Sequence, residues 1–184
     1  MSKALERRLQ RVEDRQEIAQ LQARYTIHID DHDLARVGPL FERDGRMASA
    51  DGVMDARGRE AICEQFRGRF ASLGFGFHTT HDHLIELDEA DPDRASGFVS
   101  SHAEVVRNGE AMVVGMRYED AYIREDGAWR FAERIIHFFY YLPVAAYREA
   151  LPTKGRMRAY GDVREAQLPE GAATHGRSNE GADA

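Results

Sequence analysis

The sequence predicts an α+β domain in which helices pack on one face of a curved, largely antiparallel sheet and enclose a pocket. In the first part of the chain, apolar residues recur at three- to four-residue spacing, which is typical of amphipathic helices. From Phe77 onward the period changes to two, and the dipeptides Asn108-Gly109 and Asp126-Gly127 separate the strands as hairpin turns. The order of helices first and then a meander of strands gives the fold class.

The clearest predicted helix covers residues 14–30. Asp14, with Glu17 three residues later, has the spacing of a capping box and predicts the helix start there. Residues 5–12 continue a helical pattern before that cap, as a separate helix or an arm. One face of the helix carries an apolar stripe of Ile18, Leu21, Tyr25 and Ile29.

Two more helices and a small hairpin are predicted before the sheet. Asp33 is expected to cap a short helix that ends near Asp44-Gly45, and Asp51-Gly52 is expected to turn a short hairpin. A third helix is predicted over residues 59–73, ending at Gly74. The predicted strands are 46–50, 53–56, 77–87, 95–107, 111–124 and 128–142.

Composition limits the function classes. The chain has 184 residues and a formal charge of −7, which disfavours binding to nucleic acid. Its 31% of charged residues leave no window for a transmembrane helix, and the first residues lack a secretory signal, so we expect a cytoplasmic protein with no membrane partner. The single cysteine, Cys63, excludes an internal disulfide and a multi-thiolate metal site.

Four segments are expected along the chain: a helical arm (1–13), the main domain (14–145), an extension that packs on the domain or on a partner (146–164), and a disordered tail (165–184). The tail prediction follows from its composition, because it has no large apolar residue beyond Pro169.

Several polar residues are candidates for chemistry. Asp30 lies at a helix C-terminus, where the macrodipole disfavours a carboxylate; it either orients a histidine in the pocket or belongs to a solvated acidic corner. Arg134, inside an apolar strand, is either paired with a carboxylate in the interior or exposed at an edge. Tyr25 and Tyr118 are by default core aromatics whose hydroxyls need partners.

The histidines of the first long strand do not predict a metal site. On a regular strand His81 and His83 point one way while His78 and Asp82 point the other, so the cluster cannot close on one metal without a bulge. The sequence also lacks a phosphate-binding loop, a dinucleotide fingerprint and a serine nucleophile elbow. We therefore expect no metal and no cofactor.

Four segments, in this order and spacing, resemble the SnoaL-like family of the nuclear-transport-factor-2-like superfamily, and the resemblance covers about residues 10–145. They are 18–25 followed by Asp30, 78–88, 115–120, and 126–131 leading to Arg134. The resemblance implies a cone-shaped fold with three to four helices on the concave face of a curved antiparallel or mixed sheet. Members that the chain resembles include scytalone dehydratase, lindane dehydrochlorinase and bile-acid 7α-dehydratase, which are lyases that use a His/Asp dyad without a metal.

The resemblance implies that Asp30 and His78 are the catalytic dyad. It adds Tyr25 and Arg134 as substrate-binding residues, and we add Tyr118 as a hydrogen-bond donor. Apolar walls are expected from Met116, Ile136, Phe138 and Ile27. Asp82 stands where relatives often have Asn, and His102 points away from the pocket unless a bulge turns it inward; both are second-tier candidates.

The expected function is a cofactor-independent dehydratase or double-bond isomerase acting on a hydrophobic, cyclic small molecule such as a steroid or polyketide. The alternative from another class is a non-catalytic module that binds a hydrophobic ligand or assembles with a partner, as in the β subunit of ring-hydroxylating dioxygenases. Both faces of the last strand carry large apolar residues, which predicts a homo-oligomer, a dimer or a trimer, built through the sheet.

Overall fold

A computed structural model describes residues 2–167 and confirms the α+β class. The helices are α1 (Lys3–Asp30), α2 (Leu34–Val37), α3 (Arg59–Phe70) and α4 (Tyr147–Ala150), with short 3-10 turns at Gly38–Leu40 and Val144–Ala146. The strands are β1 (Phe41–Ser49), β2 (Asp55–Arg57), β3 (Leu73–Leu87), β4 (Arg94–Arg107), β5 (Glu110–Glu125) and β6 (Ala128–Pro143). The helices pack on one face of an open, cone-like curved sheet.

The sheet has the order β2-β1-β6-β5-β4-β3 and is mixed, because β1 runs parallel to β6 while its other pairs are antiparallel. Both hairpin turns predicted between the last three strands are present. Asn108, Gly109, Asp126 and Gly127 all have positive φ, as a two-residue hairpin turn of this kind requires. The four long strands begin and end within four residues of their predicted bounds.

The first helix is longer than predicted. It runs without a break from Lys3 to Asp30 and is capped by Ser2, so Asp14 does not begin a helix. Asp14 is buried and accepts hydrogen bonds from Gln10, Arg124 and Trp129. The capping-box spacing was therefore misleading, because the carboxylate serves a tertiary contact with the sheet.

Two other boundaries differ from the prediction. The short helical segment ends at Leu40 instead of Asp44-Gly45, since Phe41 is fully buried as the first residue of β1. Gly45 lies in an irregularity of that strand, where an added Cβ would meet the Phe131 carbonyl oxygen at 3.0 Å. Helix α3 ends at Phe70, and Leu73, which we predicted to be helical, begins β3 and packs against the core.

A bulge in β3 corrects the predicted orientation of its histidines. The pairing with β4 shifts between His81 and His83, and Asp82 has a φ of +48°. The extra residue reverses the alternation. As a result His78 and His83 face the core side, whereas His81 faces outward, so the prediction that His81 and His83 share a face is wrong.

The segment after β6 returns to the sheet. The Tyr141 N–H donates to the Arg156 carbonyl (2.8 Å), and the Arg158 N–H donates to the Tyr141 carbonyl (2.9 Å). Met157 between them is buried in the core. The predicted tail, 165–184, lies outside the described residues except for 165–167. No helix within residues 2–167 is long and apolar enough to cross a membrane.

Candidate active site

Asp30 and His78 form a hydrogen-bonded pair at the end of α1. The Oδ1 atom of Asp30 lies 2.5 Å from Nδ1 of the His78 ring, and its Oδ2 atom accepts the His78 backbone N–H at 3.0 Å. Both side chains are mostly buried, with exposed fractions of 18% and 19%. These bonds explain why a carboxylate is tolerated at this helix C-terminus. Of the two alternatives for Asp30, the carboxylate that orients a histidine is the one present.

Strand geometry places His78 on the concave side. It is paired with Ala103 of β4, and both residues line a cleft between α1, α3 and the sheet. The cleft is a recess with about 540 Å³ of unoccupied space when open solvent at its mouth is included, of which about 70 Å³ has room for the centre of a water molecule. Its apolar walls comprise Ile29, Met54, Phe66, Phe70, Leu73, Val105, Val114, Met116, Ile136 and Phe138.

Tyr25 and Tyr118 also line this cleft, as predicted residues that the fold brings beside His78. Burial raises the pKa of Tyr25 to about 12 and raises that of Tyr118 as well, although the charge of Arg134 opposes both shifts. Both phenols are therefore protonated at neutral pH and available as hydrogen-bond donors.

Arg134, predicted to bind the substrate, is fully buried and does not line the cleft. Its guanidinium makes two hydrogen bonds to Asp120, at 2.8 and 2.7 Å, and a third to Gln22. It also lies 4.2 Å from the ring centre of Tyr25 and 4.3 Å from that of Tyr118. Burial alone would lower the pKa of Arg134, but Asp120 raises it, so the group is a permanent cation behind the two tyrosines.

Three other predicted residues lie outside the cleft. Ile27 was expected in the wall but is 56% exposed on α1. His102 points to the outer face, since the bulge falls in β3 and leaves β4 regular. Asp82, in that bulge, is exposed, and its carboxylate lies 3.1 Å from His81, whose ring lies 2.9 Å from that of His102. The second-tier residues thus form a separate cluster on the outer face.

A chain of hydrogen bonds inside the protein, from His83 through Tyr122 to Asp120, was not predicted from the sequence. The His83 Nε2 atom lies 3.1 Å from the Tyr122 hydroxyl, which donates to Asp120 at 2.8 Å. Burial lowers the pKa of His83, with Arg134 acting in the same direction and Asp120 against it. The inward orientation of His83 follows from the bulge at Asp82, a residue type that tolerates positive φ better than most. Within residues 2–167, no three His, Cys, Asp or Glu side chains are grouped so as to hold a metal ion.

Comparisons with known proteins agree with this architecture. Residues 10–135 match the model of the SnoaL-like domain family. No curated protein matches the sequence significantly. Three solved structures have similar folds. Their sequences are less than 25% identical to this chain, so the likeness shows the fold alone.

A protein of Novosphingobium aromaticivorans described provisionally as a scytalone dehydratase has a TM-score of 0.69 and 19% identity, over 89% of this chain and 97% of its own. The hexachlorocyclohexane dehydrochlorinase LinA type 2 has a TM-score of 0.68 and 17% identity, over 74% and 92%. A provisionally assigned aromatic ring hydroxylase of N. aromaticivorans has a TM-score of 0.66 and 23% identity, over 72% and 94%.

Proposed function

The chain belongs to the SnoaL-like domain family, and on that premise we propose that it is a cofactor-independent lyase that removes water from a hydrophobic, cyclic small molecule such as a steroid or polyketide. A double-bond isomerase is the nearest variant, because both reactions begin with abstraction of a proton next to a carbonyl. Similar folds named as a dehydrochlorinase and a scytalone dehydratase support the reaction class.

The observation that carries the proposal is the Asp30–His78 contact of 2.5 Å in an apolar cleft. A carboxylate beside Nδ1 accepts a hydrogen bond from the N–H group at that position. The proton of the neutral imidazole therefore stays on Nδ1, and its lone pair is on Nε2. An imidazole held in this tautomer presents that lone pair to a bound substrate and is suited to act as a general base. His78 lines the cleft, so a bound substrate has access to it.

The elimination needs one base and one proton donor. His78 takes the proton from the carbon next to the carbonyl, the electron pair forms the new double bond, and the hydroxyl on the neighbouring carbon departs. The imidazolium, stabilised by Asp30, returns the proton to that hydroxyl, which leaves as water. In the isomerase variant the same proton is delivered to another carbon.

Tyr25 and Tyr118 are suited to stabilise the negative charge that develops on the carbonyl oxygen. Both line the cleft and keep their protons at neutral pH because burial raises their pKa. The Arg134 cation against their rings makes their hydroxyls better donors to an oxyanion. Arg134 thus acts on the substrate through the tyrosines.

The test is turnover of a panel of hydroxylated enones and hydroxysteroids, followed by mass spectrometry for loss of water. For a compound that the wild type dehydrates, His78→Ala and Asp30→Asn are each expected to lower turnover by about a hundredfold or more. Circular dichroism should show that both variants remain folded.

His81→Ala is the matched control, because it removes a histidine from the same strand on the outer face. It should retain turnover near that of the wild type. Near-normal activity of both dyad variants would refute the proposed chemistry, and so would a loss of equal size in the control.

An assembly subunit remains a second candidate, and the similar fold named as an aromatic ring hydroxylase favours it. Such a subunit would be recovered from its native host with a larger oxygenase subunit, and the dyad variants would leave that association intact. Recovery of the chain alone, together with water loss that depends on the dyad, would exclude it.

A further inference from the structure

Two arginines lie at one end of the cleft that contains His78. Arg69, in the last turn of α3, lines the cleft directly. Arg107 ends β4 on the same inward side of the strand as Ala103 and Val105, which also line it. Two nitrogens of Arg107, Nε and Nη1, are buried and have no hydrogen-bond partner among the described residues.

Two tyrosines share this neighbourhood. Tyr141 lines the cleft, and Tyr160 is half-buried nearby. Arg107 acts on the Tyr141 hydroxyl, and Arg69 on the Tyr160 hydroxyl, as a hydrogen-bond donor. The Arg107 guanidinium lies 5.6 Å from the centre of the Tyr160 ring. Burial raises the pKa of both tyrosines, and the charges of Arg69 and Arg107 both oppose that rise, so all four groups lie close together.

The positive charge here is only partly balanced. In the described part of the chain, no carboxylate forms an ion pair with Arg69 or Arg107. Asp51 is the acid that acts on Tyr160, where it raises the pKa. A third cation, Arg164, stacks on Tyr160 and forms an ion pair with Asp162 at 2.8 Å. Three arginines are therefore matched by two carboxylates, Asp51 and Asp162. The neighbourhood therefore keeps an excess of positive charge.

Buried guanidinium nitrogens without partners are costly, and native proteins rarely keep them without a reason. Guanidinium forks and phenol hydroxyls are the donors that suit a planar carboxylate. Apart from His78, Tyr25 and Tyr118, the rest of the cleft is apolar. A ligand that satisfies both parts has a hydrophobic body and one carboxylate.

We propose that Arg69, Arg107, Tyr141 and Tyr160 form a carboxylate-binding subsite, and that the substrate of this cleft is a hydrophobic carboxylic acid. The inference rests on the proposed function, because a bound acid is a substrate only if the cleft is catalytic. The carboxylate anchors the molecule at the arginine end, while its hydrophobic body lies along the apolar walls that also include the face of His78. Neutral steroids and polyketides would bring no negative charge to the two arginines and to the two buried Arg107 nitrogens.

The experiment compares two probes of the same shape, trans-cinnamate and its neutral amide, cinnamamide, by isothermal titration calorimetry on the full chain. The wild type is expected to bind cinnamate at least about tenfold more tightly than cinnamamide, as one charge-assisted hydrogen bond would provide. Arg69→Gln and Arg107→Gln are each expected to reduce this preference to about two- to threefold or less.

Arg117→Gln is the matched control. It removes the same charge from the outer face of β5, where Arg117 stacks on Phe139, and it should keep the wild-type preference. Tyr160→Phe removes a single hydroxyl and is expected to lower cinnamate affinity without changing that of cinnamamide. This variant keeps the test decisive if Arg107→Gln fails to fold.

Thermal unfolding supplies a readout that a purely structural role would not affect. Cinnamate at one fixed concentration should raise the melting temperature of the wild type and of Arg117→Gln by more than that of Arg69→Gln. Equal affinity of the wild type for the two probes, or no measurable binding of cinnamate, would overturn the subsite.

His78→Ala separates this inference from the proposed function. It should keep the preference for cinnamate, because the subsite does not include the dyad. Binding that persists in a protein without lyase activity would support the subsite while contradicting the catalytic proposal. Lyase activity on neutral substrates only, without a preference for cinnamate, would support the catalytic proposal and contradict the subsite.

Discussion

Arg134 and Asp120 form an ion pair whose two side chains are completely shielded from solvent. The pair is further supported by Gln22, by the Tyr122 hydroxyl and by three aromatic rings whose centres lie 4.0 to 4.3 Å from the guanidinium carbon. A buried pair of this kind is weak evidence for stability as such, but removal of one partner leaves an uncompensated charge. The pair therefore makes the interior sensitive to single substitutions.

We expect Asp120→Asn to lower the free energy of unfolding by about 3–5 kcal/mol, because it leaves Arg134 buried without a counter-ion. Urea denaturation with a fitted m-value measures this change. Asp55→Asn is the control: it breaks an ion pair with Arg46 in which Asp55 is 56% exposed, and its effect should be much smaller. Equal losses in the two variants would contradict the argument.

Asp14 gives a pH-dependent prediction. Burial disfavours its charge, but hydrogen bonds from Arg124, Gln10 and Trp129 outweigh it and lower its pKa below the ordinary 3.8. A carboxylate with a depressed folded-state pKa stabilises the protein above about pH 3.8, and this contribution is lost as the pH falls through the folded-state pKa.

Asp14→Asn should therefore be less stable than the wild type at pH 7, and the difference should shrink as the pH falls from 4 toward 2. Unfolding curves at several pH values measure the gap. A gap that is constant or widens in acid would contradict the assignment.

Some residues of the candidate site could be predicted from the sequence, and others could not. Asp30 and His78 were predicted through the family resemblance, and their contact joins positions 48 residues apart. For Arg134 the residues left two alternatives open, and the structure shows the buried pair. Its partners Asp120 and Gln22 come from β5 and α1, so spacing in one strand could not identify them. Arg69 and Arg107 were not predicted, because an arginine near the end of a helix or strand is usually an exposed surface residue.

At the scale of elements, local turn chemistry was predictable and strand register was not. The Asn-Gly and Asp-Gly turns were predictable because their positive φ values belong to the residues themselves. The bulge at Asp82 depends on how β3 pairs with β4, and it decides which histidines face the core. Similarly, the capping-box spacing at Asp14 could not reveal the partners across the sheet that keep α1 continuous.

The pairing of β3 with β4 is close at Gly97. An added Cβ there would lie 2.4 Å from the Leu84 carbonyl oxygen, a backbone atom that cannot move alone. We expect Gly97→Ala to destabilise the protein by about 1–3 kcal/mol, the usual cost of overpacking. Thermal and urea unfolding measure the change.

Gly68→Ala makes the same chemical change where nothing lies within 4 Å, inside the exposed face of α3. It should stabilise the protein by about 1 kcal/mol through helix propensity. Opposite signs for the two variants are the expected result, and a destabilised Gly68→Ala would contradict it.

The whole molecule is organised around a cleft that three distant parts of the chain complete. Helix α1 contributes Tyr25, the meander contributes His78 and Tyr118, and the segment after β6 adds Tyr160 near the arginine end. Met157 of that segment is 1% exposed and belongs to the core. The sequence predicted an extension but not its pairing with Tyr141, since isolated bridges leave no periodic pattern.

The outer face of the sheet carries an apolar surface. Four large residues of β3 and β4 are between 41% and 69% exposed: Phe75, Phe77, Leu84 and Phe98. Residues 144–167, the described part of the segment after β6, contribute Met157 and Ala159 to the core and do not shield these four side chains. An apolar face of this kind is typical of a subunit interface.

We therefore expect a homo-oligomer, a dimer or a trimer, with its interface on the outer face of the sheet. Light scattering at micromolar concentration should give two or three times the monomer mass of 20.9 kDa. Phe98→Glu should shift the mass toward that of the monomer, because a buried unpaired charge at an interface is strongly unfavourable. Val163→Glu places the same charge at a 65% exposed position away from the sheet and should leave the assembly unchanged. A wild-type mass near 20.9 kDa would contradict the predicted oligomer and show that a second copy does not cover this face in solution.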